Sequence, residues 1–241
     1  MQTQEEKLYI PPAPKPGYEV CKRIFDIVMC TLALLVLSPL FLTVAIAIKC
    51  EDGGKVFFKQ QRMTKGGKVF GMYKFRSMVP DAEEKLSELL DRNEMDGPAF
   101  KMQDDPRITK VGKFIRRTSI DELPQLVNII RGEMSIIGPR PPLAWEVEQY
   151  TPYQMHRLDV KTGLSCYREC FGRSNIHDFD EWVESDLKYI RERSMWTDIK
   201  VILLTIKVVL KCEGAMKAYV NLTFWIGRLF AVDRSFFFGK K

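Results

Sequence analysis

The longest apolar run in the chain extends from Ile27 to Ile48, 22 residues without a formal charge. A helix needs ~20 such residues to cross a bilayer, so the pattern predicts a membrane helix over 24–49. Ser38-Pro39 interrupts it at mid-length. Proline removes one backbone donor and crowds the preceding turn, and a serine hydroxyl can bond the carbonyl so released. Three arrangements accommodate the run. One is a kinked spanning helix. Another is a leader with Lys22-Arg23 ahead of it and Ala45-Ile46-Ala47 as a cleavage site, although ordinary leader cores are only ~7–15 residues long. The third is a re-entrant helix-break-helix that enters and leaves by one face. Lys15, Lys22 and Arg23 precede the run, and Lys49, Lys55, Lys59 and Arg62 follow it. Basic flanks are retained on the cytoplasmic side, so the charges favour the re-entrant form.

Before this run, Pro11-Pro12-Ala13-Pro14-Lys15-Pro16-Gly17 reads as a linker, part of a tether over 1–23. After it, aromatic and β-branched positions over 56–63 and 68–76 bracket Gly66-Gly67, which predicts a β-hairpin. Lys74 and Arg76 are two apart and therefore share a strand face. They are candidates for holding phosphates, against the simpler reading of a solvated face. Asp81 and Glu84 predict a short helix to about Leu90. An irregular stretch through Gly97-Pro98 and Asp104-Asp105-Pro106 follows. Thr109 then opens a basic helix that delivers Arg116 to the most concentrated chemistry in the chain.

That stretch is Arg116-Arg117-Thr118-Ser119-Ile120-Asp121-Glu122-Leu123-Pro124. Ser119 and Glu122 match a capping box, and Asp121 is an equally good N-cap with Pro124 in the first turn. Carboxylates are favoured there by the helix dipole. A helix is expected to run from this corner to Gly132. Local pattern alone supports a cap. Asp121 and Glu122 are also an adjacent pair suited to a nucleophile and a metal ligand.

Composition narrows the class. Among 241 residues, 28% are charged, so most of the chain lies outside a membrane bundle; the net charge of +6 suits an anionic partner. The cations gather beside the apolar run, which argues against a nucleic-acid module. Six cysteines (21, 30, 50, 166, 170, 212) form no C-x-x-C pair. Cys166, Cys170 and His177 make only a weak metal pattern, and unpaired thiols suit a reducing compartment. Gly138-Pro139-Arg140-Pro141-Pro142 clamps Arg140 between prolines. A stiff backbone lowers the entropic cost of presenting a guanidinium to a phosphate, and a Pro-rich turn is the plainer alternative.

Phe25-Asp26, Ser38-Pro39, Tyr73-Lys74-Phe75-Arg76-Ser77-Met78, Asp105-Pro106-Arg107-Ile108-Thr109, the corner through Leu126, and Gly138-Pro139-Arg140-Pro141 occur in this order. Over roughly Cys21 to Cys212 the chain resembles the bacterial sugar transferase family, the small monotopic polyprenyl-phosphate phosphoglycosyl transferases. The resemblance implies transfer of a sugar-1-phosphate from a UDP-sugar to undecaprenyl phosphate, with UMP as co-product. It implies Asp121 as a covalent nucleophile and Glu122, with Asp121, as the holder of Mg²⁺. Arg140, between Pro139 and Pro141, would recognise the nucleotide sugar. Lys74 and Arg116 would lie near the phosphates, and Ser38-Pro39 would make the membrane helix re-entrant. The expected location is the cytoplasmic face of the bacterial inner (plasma) membrane, with a phospholipid surface and a homodimer among the expected partners.

One segment departs from the family's usual pattern: Thr162 and Cys166 stand in Lys161–Arg173 where proline and a second glycine are usual. Leu143–Tyr150, Asp178–Arg193 and Trp196–Cys212 read as helices. Residues 214–241 mix aromatics with cations in the manner of an interfacial segment. The expected fold is α+β, mostly helical with a small β-hairpin, in a monotopic membrane protein. It divides into tether 1–23, membrane hairpin 24–49, catalytic domain 50–213 and tail 214–241.

Overall fold

The computed structural model describes residues 9–82, 84–85, 105–168 and 179–211, the last four of these by backbone alone. The expected helix to Leu90 is described only at 81–82 and 84–85, and residues 86–104, Cys170, His177 and the tail over 214–241 lie outside the described residues. Among the described residues the chain is mostly helical with two small sheets.

The apolar run lies in a single helix, α1 (Pro16–Asp52). It starts inside the stretch expected to be tether. Pro16 occupies the first helical position, where a missing N–H costs nothing. Tertiary bonds then hold the start of the helix: Lys15 Nζ, at the N-cap, donates to Arg193 O at 2.9 Å, and Lys22 Nζ in the second turn meets Asp198 Oδ2 at 2.7 Å. Pro39 lies within the helix, and Ser38 Oγ donates to Leu35 O at 2.8 Å. That carbonyl is the one Pro39 leaves without its N–H partner. Gly53, in the left-handed conformation, ends the helix. Leu35, Val36 and Leu42 are more than 60% exposed, whereas Cys30, Val44 and Ile48 are buried against the rest of the protein. By length and composition α1 is able to cross a membrane.

The expected hairpin is present. Strands β1 (Phe57–Thr64) and β2 (Lys68–Phe75) pair antiparallel from Phe57 opposite Phe75 to Thr64 opposite Lys68. Helix α2 (Lys110–Arg117) follows, with Thr109 Oγ1 accepting the Gly112 N–H at 2.9 Å as its cap. A 3₁₀ turn (Ile120–Glu122) leads to α3 (Gln125–Arg131). A second sheet joins β3 (Ser135–Ile137) in parallel with β4 (Gly163–Ser165), with the short helices α4 (Ala144–Val147) and α5 (Pro152–Met155) between them. Helices α6 (Phe179–Glu192) and α7 (Met195–Lys211) close the described chain.

Three apolar clusters hold these pieces. Cys30 of α1 packs with Phe70, Met72, Leu126 and Ile129, so α1, the hairpin and α3 share one core. Val44 and Ile48 pack with Phe75, Ile115 and Ile120. Ile137, Val183, Leu187 and Val201 bring β3, α6 and α7 together. On α7 the packed side is set by Asp198 and Val201, whereas Leu203 and Ile206 are exposed.

Candidate active site

The corner does not form the expected capping box. Ser119 adopts the left-handed conformation (φ 57°, ψ 17°) and its side chain caps nothing, and α3 begins only at Gln125, after Pro124. Both carboxylates therefore sit on a 3₁₀ turn ahead of the helix. A non-glycine residue with positive φ stores local strain and needs its surroundings to hold it there. Here that residue lies two positions ahead of Asp121.

Asp121 is buried, at 8% exposure, and Glu122 beside it is partly open. Burial pushes the Asp121 carboxyl up to about 6; Lys74 opposes the shift, Glu122 adds to it and Arg116 opposes it. Glu122 Oε1 lies 3.2 Å from Lys74 Nζ. Arg116 is exposed and anchored by its Nε, which donates to Ser77 Oγ at 2.7 Å.

What places Lys74 opposite the dyad is Asn128, fully buried in α3. Its Oδ1 accepts the Tyr73 N–H at 2.9 Å, and its Nδ2 donates to Gly71 O at 2.8 Å and to Glu133 Oε2 at 2.6 Å. The amide thereby bolts α3 to β2. Arg62, Lys74, Glu122, Gln125, Arg140 and Cys166 line one cleft. Arg140 is exposed and makes no hydrogen bond or ion pair among the described residues. Pro139 and Pro141 on either side of it are buried.

Gly138 and Gly163 make the floor of that loop possible. A Cβ on Gly163 would lie 2.1 Å from Gly138 N, and one on Gly138 would lie 2.4 Å from Lys161 O. The close approach lets Gly163 N donate to Pro139 O at 2.8 Å. Thr162, the first departure from the family pattern, is fully buried and its hydroxyl donates to Thr64 Oγ1 at 3.2 Å. Cys166, the second, faces the cleft.

The structure separates the two cations that β2 was expected to present together. Lys74 reaches Glu122. Arg76, just past the strand end, grips the Asp52 carboxylate with both terminal nitrogens and donates to Lys55 O and Met78 O. Arg76 is a fastener between α1 and the hairpin. Three cleft or scaffold residues escaped sequence reasoning. Arg62 reads in sequence as one more basic flank, Gln125 carries no distinguishing pattern, and Asn128 interrupts the apolar run Leu126-Val127-Asn128-Ile129-Ile130. That interruption was the one available signal, since a polar residue on a buried helix face must find partners.

The carboxylate pair, its two cations and the proline-clamped arginine thus share one locality. The sequence model for bacterial sugar transferases matches residues 17–212.

The chain belongs to the bacterial sugar transferase family.

Among its relatives, the galactosyl transferase CpsE of Streptococcus agalactiae is 48% identical over 83% of this chain and 44% of its own. The undecaprenyl-phosphate galactose phosphotransferase of Salmonella typhimurium is 41% identical over 80% of this chain and 41% of its own. The exopolysaccharide production protein ExoY of Rhizobium meliloti is 37% identical over 84% of this chain and 91% of its own. This sugar transferase family member therefore spans less than half the length of the first two relatives and most of the length of the third.

Proposed function

We propose that this protein transfers a sugar-1-phosphate from a UDP-sugar to a polyprenyl phosphate such as undecaprenyl phosphate, through a covalent phosphosugar on Asp121. The observation that carries the reading is that Glu122, Lys74 and Arg140 line one cleft in a chain of this family, with Asp121 beside Glu122 and within the fields of Lys74 and Arg116. A carboxylate oxygen of Asp121 attacks the phosphorus that bears the sugar. The bond from that phosphorus to the UMP oxygen breaks, and UMP leaves with the electron pair. An oxygen of the polyprenyl phosphate then attacks the same phosphorus and releases the carboxylate. One diphosphate is made for each one consumed, so the exchange needs no further energy source.

Each step sets one anion against another, so the cations are indispensable. Arg140 would grip the nucleotide diphosphate. Lys74 would hold Glu122 and screen the incoming charge, and Arg116 would face Asp121. The donor set also fits Mg²⁺, which is commonly held by one or two carboxylates with phosphate oxygens and water completing its shell. Asp121 and Glu122 would hold it, and its chemistry would be neutralisation of charge on the diphosphate. The raised affinity of Asp121 for a proton reflects a carboxylate kept from water, and such a carboxylate is a stronger nucleophile than a solvated one.

We further propose that α1 is re-entrant and that the protein works from the cytoplasmic face of the inner membrane. What supports this is that the same globular body holds α1 near both ends. Asp26 accepts from Ser135 Oγ at 2.7 Å, and Asp52 is bound by Arg76. A soluble donor and a lipid-borne acceptor phosphate would then meet on one side.

Intact-protein mass with a panel of UDP-sugars and Mg²⁺, without polyprenyl phosphate, tests the covalent step. A phosphosugar adduct with release of UMP is expected, and both should vanish in Asp121→Asn. UMP release that requires polyprenyl phosphate and never leaves an adduct would sink the covalent step in favour of direct transfer.

A further inference from the structure

The strap Gly138–Pro142 has an unusual way of being held. Pro139, Pro141 and Pro142 have no N–H to give, so these residues can be tied down only through their carbonyls. Each of the three is bound by a donor from a different place. Pro139 O accepts from Gly163 N at 2.8 Å and Pro142 O from Met63 N at 2.9 Å. Pro141 O accepts from Arg62 Nη1 at 3.0 Å. The first two are backbone bonds. The third comes from a side chain, and it acts on the residue next to Arg140. All strap residues except Arg140 are buried, so Arg140 is the strap's one exposed side chain, and it lines the cleft together with Pro141.

Arg62 is itself fixed. It is 7% exposed, and Gln60 Oε1 accepts from its Nε at 3.2 Å and its Nη2 at 2.9 Å. Arg62 and Arg140 line the same cleft. Burial, and then the charge of Arg140, lower the Arg62 pKa to about 10. Its hydrogen-bond partners here are neutral oxygens. A buried guanidinium in that setting gains from an anion nearby.

We infer that Arg62 is a positioning residue for the nucleotide-sugar site: through the Pro141 carbonyl it sets where the Arg140 guanidinium stands. The inference rests on the proposed function, in which Arg140 receives the diphosphate. A relay follows from Gln60 to Arg62, to the Pro141 carbonyl, to Arg140. A guanidinium serves better than an amine because its planar fork donates to Gln60 and Pro141 at once.

The test uses the full chain in detergent. UDP affinity, and KM and kcat for the UDP-sugar by UMP release, are measured for wild type, Arg62→Met, Arg62→Lys, Arg140→Gln and the Met/Gln double variant. Arg62→Met should weaken UDP binding and raise KM about tenfold, roughly the loss of one good charged hydrogen bond, while kcat changes little. Arg62→Lys keeps one donor for Pro141 O and should recover part of the loss. In the Arg140→Gln background, Arg62→Met should add less than about twofold, because residues acting as one unit are not additive. The full tenfold effect in that background, or a fall in kcat alone, overturns the inference and leaves the functional reading standing. Wild-type protein that binds no UDP sinks both. If Arg62→Met does not fold, Arg62→Lys completes the same cycle, and additivity there is equally fatal.

Discussion

Arg76 and Asp52 form a two-pronged ion pair, with Arg76 Nη1 2.6 Å from Asp52 Oδ2 and Nη2 on Oδ1. The pair joins the last turn of α1 to the residue after β2, the strand that carries Lys74. The register between α1 and the strand that bears Lys74 is therefore fixed by an ion pair outside the cleft.

Asp52→Asn keeps the shape and removes the charge. Charged hydrogen bonds in partly buried positions are worth about 2 kcal/mol, so the variant should unfold at lower temperature. Its KM for the nucleotide sugar should stay within about twofold of wild type, since no substrate contact is lost. A thermal melt and initial rates on the same sample check both. A raised KM at an unchanged melting temperature would return Arg76 to the substrate site.

Asp121 gives a pH signature of defined sign. Its folded pKa of about 6 lies above the ordinary 3.8. The folded protein thus holds that proton more tightly than the unfolded chain does. The resulting stability is fully present below about pH 4 and is lost as pH rises through 6, amounting to about 3 kcal/mol at most. Asp121→Asn cannot ionise and should gain on wild type between pH 4 and pH 8. Denaturant midpoints at the two pH values measure this, and an unchanged difference refutes it. In the proposed reaction the ionised carboxylate attacks, so kcat/KM should fall about tenfold per unit below pH 6.

Asn128→Leu fills the same space without the amide. It strands the Tyr73 N–H and the Gly71 carbonyl and removes the bond to Glu133. Unsatisfied buried groups cost ~1–3 kcal/mol each, so loss of stability by several kcal/mol is expected, together with loss of turnover as Lys74 and the dyad separate. Asn128→Asp should do worse than its shape suggests, because its new charge faces Glu133. Denaturant unfolding of the two variants decides. A neutral Asn128→Leu would mean that packing alone aligns α3 with β2.

The topology can be read with the protein's own thiols. Cys21 and Cys50 are exposed and flank the apolar run. In variants retaining only one of them, an impermeant maleimide applied to intact spheroplasts should label neither, and should label both after lysis. Labelling of one from outside refutes the re-entrant form.

Much of the scaffold was legible because its signals are local. Twenty-two uncharged residues, a Gly-Gly between aromatic runs and a threonine ahead of a basic helix each specify an element from neighbours in sequence. The short parallel pair β3 and β4 was not legible: three residues carry no periodicity, and their partners lie 28 positions apart, at Ser135 and Gly163. The start of α1 at Pro16 was missed because the bonds that secure it come from Arg193 and Asp198, far along the chain.

By itself the sequence determined the family, the apolar helix with its Ser38-Pro39 feature, the hairpin and the adjacency of Asp121 and Glu122. These depend on residue types and on spacings within a few turns. Tertiary structure alone decided which cation serves which carboxylate. Lys74 and Arg76 are equivalent by spacing, yet one meets Glu122 and the other Asp52. It also decided that Asp121 and Glu122 stand on a 3₁₀ turn behind a left-handed Ser119, and that Arg62 holds the strap. The physical reason is that charge pairing and burial depend on distances between elements, and those are set by how α1, β2 and α3 pack.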